Sequence, residues 1–312
     1  MKRKVVKLGP STLVVSLPSE WTKKVAVKCG MELEVEEVND SLIVRPPLRH
    51  SSSISISLHD EKDSKSVLTQ LSHIYRVGFD KVTISFSDER TLKLVSRIVS
   101  DYLLGFEITK KSTTSCVLES ITEPTNEKFI VLLRRVFFQI KEMQELVLLD
   151  FKDNSLKRAE EIADLRRALD RHVFFCRRLL SKGVDLGESV HLVWELLSVL
   201  MNIAHAYDYM YLYYKEQKKK VSAETVLLLE RLEAYFDYFY KSYVERKEGY
   251  FTERKKGSIE LLNALYAAFE NSRNQNKVLL GYVQQIIRFI QLGMSPVRSI
   301  LADEERKRGV RT

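Results

Sequence analysis

From residue 126 onward this chain carries no strand pattern, and its apolar residues recur every three or four positions. Phe129, Leu132, Val136, Ile140, Met143 and Val147 fall on one face of a helix, and Ile162, Leu165, Leu169, Val173 and Cys176 repeat the stripe. More than half of the 312 residues are thereby confined to helices with one face to bury. Further helices are expected over 188–219, 222–248 and 253–293, the last breaking near Asn271–Asn274 to give six in all. Asp153-Asn154-Ser155 supplies a turn and a helix N-cap. Long helices with short connections form antiparallel bundles, here read as two three-helix units in tandem.

The chain ahead of the bundle reads differently. Strands are expected over 53–58, 81–86, 106–110 and 116–121, with helical stripes over 65–77 and 91–104. The order β-α-β-α-β-β describes a small α/β sandwich with its helices on one face. Still earlier, Lys4-Val5-Val6-Lys7-Leu8 and Thr12-Leu13-Val14-Val15 flank a Gly9-Pro10-Ser11 turn. Pro18 pre-sets a short helix to about Val27, and Gly30 ends it. Met31, Leu33 and Val35 alternate with glutamates as a strand, Asn39-Asp40 turns the chain, and Leu42-Ile43-Val44 returns before Pro46-Pro47. The fold class is thus α+β multidomain. A β unit over 1–48 precedes an α/β domain over 49–122, with a linker at Glu123-Pro124-Thr125. A bundle over 126–295 and a charged tail over 296–312, frayed from Asp303, complete it.

A β unit of under fifty residues cannot bury enough apolar surface to offset its chain entropy. Pairing with a second copy doubles the core and covers strand edges, so a homodimer or higher homo-oligomer is expected. The net charge of +8 is not spread evenly. Residues 1–30 hold Lys2, Arg3, Lys4, Lys7, Lys23, Lys24 and Lys28 against one acid, Glu20, whereas Glu32, Glu34, Glu36 and Glu37 follow in the next hairpin. On charge alone, a phosphate-binding face and a solvated charged face fit equally well.

Three cysteines without metal or disulfide spacing suggest buried, reduced thiols in a cytoplasmic protein. Lys7 and Gly9-Pro10 interrupt any signal-peptide core after the Met-Lys-Arg-Lys start. No apolar run approaches the roughly 20 residues that a membrane span needs, so no insertion is expected. GxGxxG, P-loop, HExxH and GxSxG motifs are all absent, and the chain is not expected to be an enzyme.

Arg3-Lys4-Val5, Lys7-Leu8-Gly9, Val14-Val15-Ser16-Leu17-Pro18, Thr22-Lys23-Lys24 and Gly30-Met31-Glu32-Leu33-Glu34-Val35 resemble the AbrB family of swapped-hairpin transcription factors. The resemblance implies interleaved hairpins and DNA contacts from Arg3, Lys4, Lys7, Lys23, Lys24 and Lys28. Lysine favours phosphate contacts over bidentate base reading. "YRVGFDKVTISF", "LLGFEI" and Ala168–Leu179 extend the likeness to archaeal phosphate-uptake regulators, which place an AbrB-like domain before a PhoU-like bundle. That likeness implies a dimeric DNA-binding regulator of phosphate uptake whose partners are double-stranded DNA and phosphate-transport or signalling proteins. The alternative is a PhoU-like adaptor acting on a transporter or sensor kinase, with the first unit only dimerising.

The same resemblance implies a divalent cation or iron held by helix carboxylates, for which Asp164, Asp170, His205 and Asp208 are the candidates. Asp208 in "MNIAHAYD" matches the family's aspartate, while "QQIIRF" at 284–289 carries no carboxylate. The plainer expectations are a surface ion pair for Asp164, with Lys157 or at Arg167, and a His205–Asp208 hydrogen bond. The tyrosine-dense stretches "HAYDYMYLYY" and "AYFDYFYKSY" read as bundle packing, because Tyr207, Tyr211 and Tyr214 share one helix face.

Overall fold

The structure, a computed structural model, describes residues 1–38, 41–45, 52–58, 63–121, 125–184, 186–218, 220–246, 249–271 and 275–307. The turn expected at Asn39–Asp40, the close at Pro46–Pro47, the linker at Glu123–Pro124 and most of the break expected at 271–274 lie outside them. The chain divides into two compact units, Met1–Ser51 and Ser52–Thr312.

In the first unit, β1 (Val5–Leu8) and β2 (Thr12–Val15) form an antiparallel hairpin, as do β3 (Glu34–Val38) and β4 (Ser41–Arg45), with α1 (Ser19–Lys24) between the hairpins. Gly9 turns the first hairpin at φ +75°, a region open to glycine at no steric cost. Pro18 sits at the N-cap of α1 as expected. The helix ends at Lys24, earlier than the expected Val27, and Ala26 takes up the left-handed conformation at φ 54°. Pairing Val5 with Val15 and Lys7 with Leu13 places these four residues on one face; Val6, Leu8, Thr12 and Val14 take the other. Both faces of this ribbon are therefore apolar, and no described residue between 1 and 45 is buried.

The second unit starts with β5 (Ser53–Ser57), α2 (Ser64–Val77), β6 (Lys81–Ser85), α3 (Glu89–Tyr102), β7 (Phe106–Lys111) and β8 (Ser115–Ser120). The sheet runs β5-β6-β8-β7, with β5 and β6 parallel across the α2 crossover and the other pairs antiparallel. The expected order is thus realised. Asp63 caps α2 through Lys65 and Ser66, and Gly78 ends it in the left-handed region. Val82, Ile84, Cys116 and Leu118 are buried in one core with Val67, Leu71 and Tyr75 of α2 and Val95 and Ile98 of α3.

Six helices follow: α4 (Asn126–Asp153), α5 (Ala159–Ser181), α6 (Val190–Gln217), α7 (Ala223–Val244), α8 (Gly249–Glu270) and α9 (Lys277–Lys307). Helices α4, α5 and α6 pack on one another, and so do α7, α8 and α9; α6–α9 and α4–α7 contacts join the two sets. The span expected over 253–293 is thus parts of two helices. Nor does a charged tail begin at 296: α9 continues through Pro296, because Val297, Ile300 and Leu301 are buried and outweigh the lost backbone hydrogen bond. The N-cap expected at 153–155 is also corrected. Asn154 is the left-handed C-cap of α4, and α5 starts only after Arg158.

Residues 49–122 and 126–295, expected as separate domains, share one compact unit from 52 onward, because α2 and α3 pack on α5. The buried Arg178 of α5 locks that contact. It donates to the carbonyls of Tyr75 (3.1 Å) and Phe79 (2.6 Å) and pairs with Asp80 at 2.9 Å, and its guanidinium lies 4.8 Å from the Phe106 ring centroid.

Helix α9 meets α6 and α7 at Gly293, where an added Cβ would stand 2.6 Å from Phe239 Cζ and 2.9 Å from Val199 Cγ1. Gly293→Ala is expected to destabilise the chain by roughly 1–2 kcal/mol, as overpacking outweighs the helix-propensity gain of up to about 1 kcal/mol. Chemical denaturation with the helical circular-dichroism signal checks this; a variant as stable as wild type would show the contact to be slack.

Candidate functional site

All six expected DNA contacts, Arg3, Lys4, Lys7, Lys23, Lys24 and Lys28, are exposed in the first unit. Lys23 and Lys24 close α1, where cations also complement the helix dipole. Lys7 shares a ribbon face with Val5, Leu13 and Val15. No carboxylate among the described residues forms an ion pair with any of the six. The unit therefore couples uncovered apolar faces to uncompensated positive charge.

In the second unit, three of the four candidate metal residues come together. Asp170 on α5 and Asp208 on α6 are both buried. His205 Nε2 lies 2.8 Å from Asp170 Oδ1, so its partner is across the helix pair and not the expected Asp208 one turn along. Arg166, one turn before Asp170, was not foreseen. Its Nη1 donates to Asp170 Oδ2 at 2.8 Å, and its Nε lies 3.0 Å from Asp208 Oδ2. Burial pushes the Asp208 carboxyl above the usual range, against the pull of Arg166 and His205. Burial likewise opposes the charge on Arg166, yet Asp170 and Asp208 together raise its pKa. Asp164 stands apart, exposed and paired with Arg167, which is the plainer of its two expected roles.

This arrangement does not fit the metal that the resemblance implied. A guanidinium sits where a cation would bridge the two carboxylates, and Asp164 is directed elsewhere. Among the described residues no group of three histidine, cysteine or carboxylate side chains is placed to hold an ion. Asp170, His205 and Asp208 are instead members of an ion-pair network closed by Arg166.

The tyrosine stretches pack as expected: Tyr207, Tyr211, Tyr214 and Tyr235 are buried. Tyr211 has a further role, donating to Asp150 Oδ2 at 2.5 Å. The fully buried Asp150 also accepts from Ser155 Oγ (2.8 Å), the Arg158 backbone N–H (2.9 Å) and the Arg158 guanidinium. It thus ties the α4–α5 connection together from the last turn of α4, at the place where the sequence suggested an N-cap over 153–155. A carboxylate there opposes the helix dipole, and that local conflict was the only signal of it. Of the three cysteines, Cys116 and Cys176 are buried as expected, and burial pushes the Cys116 thiol up to about 11, but Cys29 is exposed.

No helix among the described residues is long and apolar enough to cross a membrane. Comparison with protein families, with curated proteins and with solved structures finds no match.

Proposed function

We propose that the chain is a nucleic-acid-binding regulator that acts as a dimer through its first unit. The observation that carries this reading is a β ribbon with two apolar faces and no buried residue, in a unit whose six exposed lysines and arginines have no ion-pair partner among the described residues. The apolar faces call for a partner, and a second copy of the same ribbon supplies a self-complementary one. The cations then gather on a two-fold surface, where they attract phosphates whatever the base sequence.

Within that class, the AbrB-like opening and the PhoU-like helices support a transcriptional regulator of phosphate uptake. The second unit would set when the first grips its operator. The deciding experiment is a duplex-binding titration of the full chain at several salt concentrations. A log–log slope of about −4 or steeper supports several phosphate contacts per dimer. Absence of duplex binding at low salt by a dimeric chain sinks the reading and leaves the adaptor, with the first unit only dimerising.

The dimer makes its own prediction. Val6→Asp with Val14→Asp places carboxylates on the ribbon face shared with Leu8. Self-association is expected to weaken by about thirtyfold or more, read by sedimentation equilibrium. An unchanged association constant would put the dimer contact elsewhere.

A further inference from the structure

The Arg166 network lies in the wall of a cleft of about 740 Å³ formed by α2, α3, α5 and α6. The volume falls within the ordinary range for small-molecule sites. Five lysines and arginines line it, Lys65, Arg76, Arg97, Arg166 and Arg167, against three aspartates, Asp101, Asp170 and Asp208. Each aspartate already has a cation: Arg97 lies 3.6 Å from Asp101, and Arg166 serves the other two.

Two groups in this wall are left short of partners. Arg76 is half-buried 5.0 Å over the Phe174 ring, and its Nε donates to the Ser72 carbonyl at 3.1 Å. No carboxylate among the described residues pairs with it, and burial lowers its pKa against the more distant pull of Asp170. A guanidinium removed from water without a counter-charge is costly unless an anion completes it. The second group is Asp208, 4% exposed, whose Oδ1 accepts no hydrogen bond from the described residues. A buried carboxylate oxygen without a donor calls for a hydroxyl or amino group. Between them the wall is apolar, with Leu68, Leu94, Met201 and Leu212, and Tyr209 stands 53% exposed at its edge.

We propose that this cleft binds a nucleotide. The phosphate is held by Arg76, and Lys65, about 16 Å away along the α2 axis, adds positive charge at the other end of the cleft. A sugar hydroxyl or base amino group donates to Asp208 Oδ1, and the base lies on the apolar wall. Inorganic phosphate would satisfy the cations alone, and a nucleoside only Asp208 and the apolar wall; a nucleotide answers all three. The proposal does not rest on duplex binding, because every residue in it belongs to the second unit.

Calorimetric titration of the full chain with ADP, and separately with adenosine and inorganic phosphate, tests it. ADP is expected to bind at least about tenfold more tightly than either fragment. Arg76→Gln is expected to weaken ADP binding about tenfold, as loss of a charge-assisted contact would, and Lys65→Gln a few-fold by lowering the positive potential of the cleft. Lys65 is exposed, so its variant keeps the test open should Arg76→Gln fold poorly. Lys23→Glu with Lys24→Glu should leave ADP affinity unchanged, and loss there would place the ligand on the first unit and overturn the proposal. Three other results would also overturn it: no ADP binding at millimolar concentration, equal affinity for phosphate alone, or indifference to both cleft substitutions.

Discussion

Lys23→Glu with Lys24→Glu is expected to remove duplex binding by the full chain while leaving the dimer intact. Both residues lie exposed at the end of α1, where no ion pair among the described residues depends on them. In a dimer the change replaces four positive charges by four negative ones. If those lysines face phosphate, affinity should fall on the order of a thousandfold near 0.1 M salt, and the salt slope should shrink by about 3–4. Electrophoretic mobility and sedimentation equilibrium read the two halves of the claim separately. Lys110→Glu with Lys111→Glu makes the same change of net charge on β7 of the second unit and should do little. Undiminished binding by the α1 variant would remove Lys23 and Lys24 from the interface; equal loss in both variants would mean that net charge alone matters.

Asp150→Ala is expected to cost more stability than any other single change considered. It strands a Tyr211 hydroxyl, a Ser155 hydroxyl and the Arg158 guanidinium, and it leaves the Arg158 backbone N–H with the Tyr211 oxygen alone. The Arg158 side chain is 35% exposed and water takes up part of its charge, so the loss costs about 2–4 kcal/mol, or a fall in Tm of roughly 8 °C for a chain of this size. Burial alone would raise the Asp150 pKa, but the hydrogen bonds from Tyr211, Arg158 and Ser155 outweigh it and hold the carboxyl below its ordinary value. Its contribution is therefore complete above the unfolded-state pKa of about 3.9 and is lost as pH falls through the lower folded value.

His172 acts in the same direction at higher pH. Burial, with Arg171 and Arg135, lowers its pKa to about 4, so stability should fall as pH drops from about 6.5 toward 4. Thermal melts across that range should separate the two groups: His172→Gln flattens the upper part and Asp150→Ala the lower. A wild-type Tm that stays flat from pH 7 to pH 3 would contradict both assignments.

What the sequence disclosed follows the range of the forces involved. Helical stripes, the β-α-β-α-β-β order and the Gly9 turn depend on neighbours a few residues away, and they appear in the structure close to where they were read. Arg166 was also within reach, since it stands four residues before Asp170, on the same helix face. A guanidinium neutralises a carboxylate and is no metal ligand, so ligand spacing does not point to it. The bundle runs past its expected end at 295 because burial of Val297, Ile300 and Leu301 overrides the local cost of Pro296.

The amino-acid sequence by itself determined the helices, the strands and the concentration of cations in the first thirty residues, because periodicity and composition are local. Only the tertiary structure decided that His205 meets Asp170, that Tyr211 and Arg158 converge on Asp150, and that Arg76 lines a cleft with no carboxylate among the described residues paired to it. Except for Arg158 and Asp150, eight residues apart across one connection, those pairings span tens of residues and depend on which helix faces which, and no spacing along the chain encodes that choice.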